Sequence, residues 1–307
     1  MQVIVCGILM AAIVVFFKET RGSVLLSRKA EALNKYYDQL EAQGVTGVQM
    51  TSTAEPSKHN IQRIRWKVRS DEERASIGKM ISISLYRPFR LLFTEPVVFF
   101  FSLWISFAWA VLYLTFGAIP LVFQNNHGFN LEQSCAVFAS LSIAAIISTV
   151  IAIYGEKVVK RKRPQLTSSP EGRLWIACPQ AALLPIGLFW FAWSTFSSVH
   201  WIVPALGLGC ATMGIFSIYL AVFNYLADTY HRYASSALAA QSFCRNMIGG
   251  VFPLVVNQMF TAMTYQGAGS LLGGIGAALT LVPFVLAIWG PKIRARSKIA
   301  REIMEKD

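Results

Sequence analysis

Six apolar stretches set the terms for this chain: Val97–Phe123, Ser134–Tyr154, Leu174–Phe196, Trp201–Ala227, Ser236–Ala262 and Ala268–Gly290. Each reaches the roughly 20 apolar residues a helix needs to cross a bilayer. Lipid offers no hydrogen bonds to the backbone, so such stretches must be helical. A seventh run, Gln2–Phe17, is shorter and begins beside Met1, so it reads as a spanning helix cut at its start, with a buried or interfacial helix as the alternative. Only 14% of the 307 residues are charged and the mean hydropathy is +0.48. A soluble domain carries about 25% charged residues. The fold class that follows is an all-α membrane protein with about seven transmembrane helices.

The net charge of +12 raises the question of a nucleic-acid partner, and the placement of the charge answers it. Fourteen Lys and Arg lie in Lys18–Arg90, six in Lys157–Arg173 and six in Lys292–Lys306, with Arg232 and Arg245 completing the 28. The alternate loops, Gln124–Gln133, Ser197–His200 and Met263–Gly267, contain none. This is the bias of cytosolic loops toward positive charge. It places the N-terminus outside and the C-terminus inside, and it directs the basic surface at acidic lipid headgroups. The expected partner is the lipid bilayer, and nucleic acid is not one.

Residues 18–96 form the longest polar stretch. Leu26, Ala30, Leu33, Tyr37 and Leu40 recur at steps of four and three, which predicts an amphipathic helix. Gly44–Asn60 has turn formers without periodicity and reads as a flexible loop. Ser70-Asp71-Glu72-Glu73 is a capping box. It opens a helix carrying Ile77, Met80, Ile81 and Leu85, expected to stop near Arg87-Pro88 because proline disfavours helix in the residue before it.

Arg245 is the one basic residue well inside a span, about 14 Å from the start of its helix. An intramembrane ion is costly and marks a functional candidate, with a snorkelling or clamping role as the alternative. No Asp or Glu sits mid-span. Glu95, Glu156 and Asp228 lie at cytosolic helix ends, where gating or structural ion pairs are expected. Trp109 and Tyr113 are mid-span and one turn apart, suited to lining a cavity, with lipid-facing or packing roles as the alternative. Glycines cluster at 207, 209 and 214, at 249 and 250, and at 269, 273, 274 and 276, where helices can approach closely. Pro120 and Pro253 are candidate helix breaks. The cysteines and histidines show no metal-ligand spacing and no Walker-type glycine loop occurs. No catalytic residues, metal or cofactor are expected, and the chain does not read as an enzyme.

Several segments resemble one family. They include Lys18-Glu19-Thr20-Arg21, Arg87-Pro88-Phe89 with Glu95-Pro96, and Pro185-Ile186-Gly187-Leu188-Phe189-Trp190. Tyr225-Leu226-Ala227-Asp228-Thr229-Tyr230, Tyr233-Ala234-Ser235-Ser236, Arg245 and Phe252-Pro253-Leu254 continue the series. Together they resemble the fungal polyamine and multidrug proton antiporters of the major facilitator superfamily, over what look like helices six to twelve. The resemblance implies a final helix of the N-terminal half at 1–17 and a cytosolic central loop at 18–96. It further implies a six-helix C-terminal half at 97–290 and a basic cytosolic tail at 291–307. Helices one to five would be absent, and with them half of the substrate cavity and the family's coupling acids. The implied activity is proton-coupled efflux of drugs, polyamines or similar solutes, in the plasma membrane or the vacuolar membrane. The cavity-lining candidates are Trp109, Tyr113, Tyr219, Gln241, Arg245 and Asn246. The rival readings are a non-transporting remnant and a seven-helix receptor, the latter without Asp-Arg-Tyr or Asn-Pro-x-x-Tyr motifs.

Overall fold

A computed structural model describes residues 2–17, 22–45, 48–51, 59–68, 77–162 and 170–296. The chain divides into two compact units, Met1–Ile81 and Ser82–Asp307.

The first unit opens with α1 (Gln2–Phe16), which carries no charge and exposes its apolar side chains along its length. The amphipathic helix follows as α2 (Gly22–Ala42). Part of the expected flexible loop is instead an antiparallel hairpin, β1 (Val48–Thr51) paired with β2 (His59–Gln62) in the register Val48↔Gln62 to Thr51↔His59. Two four-residue strands are too short for periodicity to reveal them among turn formers. Behind the hairpin, residues 63–66 are tied to α2. The Asn34 amide donates to the Trp66 carbonyl at 2.9 Å and accepts from the Trp66 N–H at 2.8 Å. Glu41 accepts from Arg65 at 3.0 Å and pairs with Arg63 at 2.8 Å. The predicted capping box lies outside the described residues.

Helix α3 (Ile77–Thr94) runs through Pro88 rather than stopping there. Proline forfeits one backbone hydrogen bond, but Leu91 and Leu92 beyond it are buried and hold the last turn in place. The proline rule does operate at Glu95. That residue is extended, at φ −107° and ψ 105°, ahead of Pro96, which starts α4 (Pro96–His127). The short α5 (Leu131–Ala136) begins at a capping box of Asn130 and Gln133 and leads into α6 (Phe138–Lys162). The expected span Leu174–Phe196 is two helices, α7 (Pro170–Ala181) and α8 (Leu183–Trp193). Pro185 has no N–H to offer the Ala181 carbonyl, which accounts for the break between them.

Helix α9 (Ile202–Tyr230) is followed by a 3₁₀ turn and by α10 (Ala234–Arg296). The last two expected spans are the limbs of α10, 234–263 and 265–296, joined at Thr264, which stands at φ 61° and ψ 166°. Neither Pro120 nor Pro253 breaks its helix. Among the described residues, four helical segments are long and apolar enough to cross a membrane: Pro96–His127, Leu131–Lys162, Ile202–Tyr230 and Gln258–Gly290. Val3–Phe16 and Ala177–Trp193 are shorter apolar helices.

Contact between α8 and α9 is backbone against backbone. A methyl group built on Gly187 would lie 2.2 Å from the Ala211 nitrogen, and one on Gly214 would lie 2.3 Å from the Leu184 nitrogen. Between apolar helices in lipid, such close packing stands in for the hydrophobic effect. Helix α4 packs most extensively against α10, where a methyl on Gly117 would lie 3.2 Å from Val256 and one on Gly276 would lie 3.3 Å from Phe107.

Gly187→Leu must therefore separate α8 from α9. It is expected to cost at least the roughly 1–3 kcal/mol typical of overpacking. Gly274→Leu, with nothing within 4 Å of the position, should be neutral. Thermal unfolding in detergent micelles checks both. In the first unit, the Arg65 hydrogen bond holds the Glu41 carboxyl below its usual value. Its contribution is present in full above the usual carboxylate value and is lost as pH falls through the lowered one. Intrinsic-rate-corrected amide protection at residues 64–66 should therefore fall below about pH 4. In Glu41→Gln that dependence should disappear.

Candidate functional site

Three helices meet at mid-depth around one cation. Counting along each helix at 1.5 Å per residue, Trp109 lies about 20 Å into α4 and Arg245 about 16 Å into α10. Tyr219 lies about 16 Å from the end of α9. The Arg245 guanidinium carbon is 4.4 Å from the Trp109 ring centroid, 5.4 Å from Tyr219 and 5.9 Å from Phe223. The rings form a continuous group. Trp109 stacks on Tyr219 at 5.9 Å and Tyr219 on Phe223 at 4.3 Å, while Tyr113 lies 6.1 Å from Trp109.

The order of these side chains follows from helical spacing. Trp109 and Tyr113, Tyr219 and Phe223, and Arg245 and Gly249 are each four residues apart and so share a face. Gly249 makes room for the group: a methyl there would lie 3.0 Å from Trp109 and 3.3 Å from Tyr113. Gln241, one turn before Arg245, is fully buried and donates to the Ser242 hydroxyl at 2.9 Å.

The polar atoms of this group are poorly matched. The Nε and Nη1 of Arg245, the Nε1 of Trp109 and the Oε1 of Gln241 are buried without a hydrogen-bond partner among the described residues. No carboxylate among them lies within ion-pair distance of Arg245. Stacking on three rings is worth roughly 0.5–2 kcal/mol per contact. Each unpaired buried donor costs about 1–3 kcal/mol. The two effects are comparable, so the arrangement gains little stability from its cation.

Of the sequence candidates, Trp109, Tyr113, Tyr219 and Arg245 come together, and Gln241 adjoins them on the same helix face. Asn246 is exposed, a third of a turn away from Arg245. The three acids lie elsewhere. Glu95 is 3% exposed and accepts from the Tyr230 hydroxyl at 3.3 Å. Glu156 is exposed at the edge of a cavity of about 490 Å³ that Gln180, Ser217, Asn224 and Tyr225 also line. Asp228 is half-buried near the end of α9. Phe223 was not anticipated, and Gly249 was expected only as a point of close helix approach, although each stands four residues beyond a candidate. Buried Glu171, which accepts from the Tyr225 hydroxyl at 3.4 Å, was also missed. Its place in the first turn of α7 was the available signal.

Comparison with known proteins gives this geometry a context. The profile described as Major Facilitator Superfamily matches residues 1–253. The chain is 42% identical to "Efflux pump atB" of Aspergillus terreus over 79% of its own length and 54% of that protein. It is 33% identical to "Efflux pump FUB11" of Gibberella fujikuroi over 96% of its length and 48% of that protein. To "Major facilitator superfamily multidrug transporter mdrA" of Aspergillus fumigatus it is 32% identical, over 93% and 44% respectively. The chain thus spans about half the length of these relatives. No solved structure matches it.

Replacing the cation with an apolar side chain of similar length removes both the stacking and the unpaired donors. Arg245→Met is therefore expected to shift the unfolding free energy by less than about 1 kcal/mol in either direction. A loss of more than about 3 kcal/mol, the range for breaking a buried ion pair, would identify Arg245 as a structural clamp. Chemical unfolding in mixed micelles measures the difference.

Proposed function

This chain belongs to the Major Facilitator Superfamily, and from that premise we propose that it forms one half of a secondary active transporter exporting small organic solutes in exchange for protons. The observation that carries the reading is the meeting of the one mid-span cation, on α10, with aromatic rings from two other helices, α4 and α9. Such a site, near mid-depth and between helices, suits a solute-binding cavity. The relatives' descriptions as efflux pumps and a multidrug transporter support the direction and the solute class.

In this reading α1 is a spanning helix, residues 18–96 are the cytosolic loop joining two halves, and 97–290 hold six spans, seven in all. Residues 291–307 are then a basic cytosolic tail. The more specific assignment is the polyamine and multidrug proton antiporter group, with this chain as its C-terminal portion, in the plasma or vacuolar membrane. Trp109, Tyr113, Tyr219, Gln241, Arg245 and Asn246 are proposed to line the cavity. Glu95, Glu156 and Asp228 are proposed to act at the cytosolic gate. Family membership sets the receptor alternative aside.

Alternating access needs two halves rocking about a shared site. The 307 residues expressed alone in yeast are therefore expected not to export fluorescent dyes, cationic or anionic. Co-expression with a five-helix N-terminal fragment of a close relative should give efflux that a protonophore abolishes. Efflux by the chain alone would overturn the half-transporter reading. No efflux in either case, with expression verified, would favour the non-transporting alternative. Topology has its own test: sequons engineered into Gln124–Gln133 should be glycosylated and sequons in Lys157–Arg173 should not, the reverse pattern defeating the orientation.

A further inference from the structure

The chemistry around Arg245 narrows the solute further than the family does. The three helices that build the site are almost without acids. Helix α4 and the 234–263 limb of α10 have none. Helix α9 has only Asp228, nine residues beyond Tyr219 and so about 13 Å along the axis. The fixed charge at the centre is therefore positive and uncompensated. Its flat face is covered by Trp109, while two of its donors, on Nε and Nη1, are buried and unpaired. A cation stacked on its face and unpaired at its edge is set up to accept an anion in the plane of the guanidinium.

What lies beside the charge is aromatic. From Trp109 the rings continue through Tyr113 to Phe116, 5.6 Å further on, and from Phe116 to Phe138 at 5.8 Å. Tyr113 is 37% exposed and Phe116 45%, so this ladder is open next to a half-buried, charged end. Buried Gln241 adds an unpaired acceptor oxygen one turn from Arg245. That oxygen suits a hydroxyl or N–H on the same ligand.

Resting on the transporter reading, we propose that Arg245 with Trp109 and Tyr219 binds the carboxylate of an aromatic organic anion, whose ring lies along Tyr113 and Phe116. Polyamines and other organic cations are the wrong charge for this subsite. Arg245 already occupies the ring faces that would receive an ammonium group, and it repels a second cation.

The test is equilibrium dialysis of the 307-residue chain in lipid nanodiscs, with empty nanodiscs as the blank for partitioning. The probes share one ring system: 1-naphthoate, neutral 1-naphthamide and cationic 1-naphthylmethylammonium. Naphthoate is expected to bind about tenfold or more tightly than either other probe, the size of a charge-assisted hydrogen bond. Arg245→Gln should erase that preference, and Arg245→Lys should keep part of it. Ammonium binding as tightly as naphthoate, an unchanged preference in Arg245→Gln, or no binding above the blank would each overturn the proposal. Where Arg245→Gln does not fold, the three probes on the unaltered chain decide alone. Binding needs no transport cycle, so dye efflux without naphthoate preference defeats only the subsite. Naphthoate preference without efflux in any pairing of halves defeats only the transport reading.

Discussion

Lipid hydrogen-bonds no peptide group, and this constraint governs how the second unit is assembled. Each helix must satisfy its own backbone. Hydrophobicity then no longer separates inside from outside, because the surroundings are as apolar as the core. What remains is how closely two helices can approach. At the crossing of α8 and α9 the glycines at 187, 207 and 214 bring backbones into direct contact. Gly269 and Gly273 let the second limb of α10 close on side chains of α8, the Ala192 methyl and the Phe189 ring. With α8 fixed on both sides, α4 is left to pack against α10 with large side chains, and the aromatic site forms along that contact.

The site inverts the logic of the α8–α9 crossing. There small residues remove volume so that backbones touch. Around Arg245 a single small residue, Gly249, admits two large rings. The rings neutralise the face of a guanidinium that no carboxylate balances. Stacking against three π-systems and leaving two donors unpaired are opposing effects of similar size, so selection for stability alone does not account for an arginine at this depth. The acids of the bundle sit instead at helix ends. There the Tyr230 hydroxyl donates to Glu95 and the Tyr225 hydroxyl donates to Glu171.

Much of this was legible in the chain. Long apolar stretches and alternating basic loops are averages over twenty residues and survive local irregularity. That is why α4, α9 and the two limbs of α10 fall close to their expected bounds. Arg245 was legible because a lone charge in an apolar helix has few innocent explanations, and Trp109 and Tyr219 because they share its depth. What escaped depends on tertiary contact. The helix continues past Pro88 because Leu91 and Leu92 are buried beyond it, and nothing local in the sequence says so. The hairpin of β1 and β2 is too short to show a period. Phe223 looks like any other phenylalanine in a span until Arg245 arrives from another helix. Asn246, chosen for its depth, is exposed and stands about a third of a turn around the helix from Arg245.

Thr264 joins the two limbs of α10 with a single non-helical residue in place of a loop. One limb is held against α8 by glycine contacts, and the other carries Arg245 nineteen residues away, about 28 Å at 1.5 Å per residue. The pair is a lever with its pivot at one end and its charge well out along the arm. A change of about 10° at the pivot sweeps the guanidinium through about 5 Å, the distance that separates it from the rings it rests on. Two backbone torsions at the far side of the bundle are thus placed where a small difference in angle becomes a large displacement at the charge.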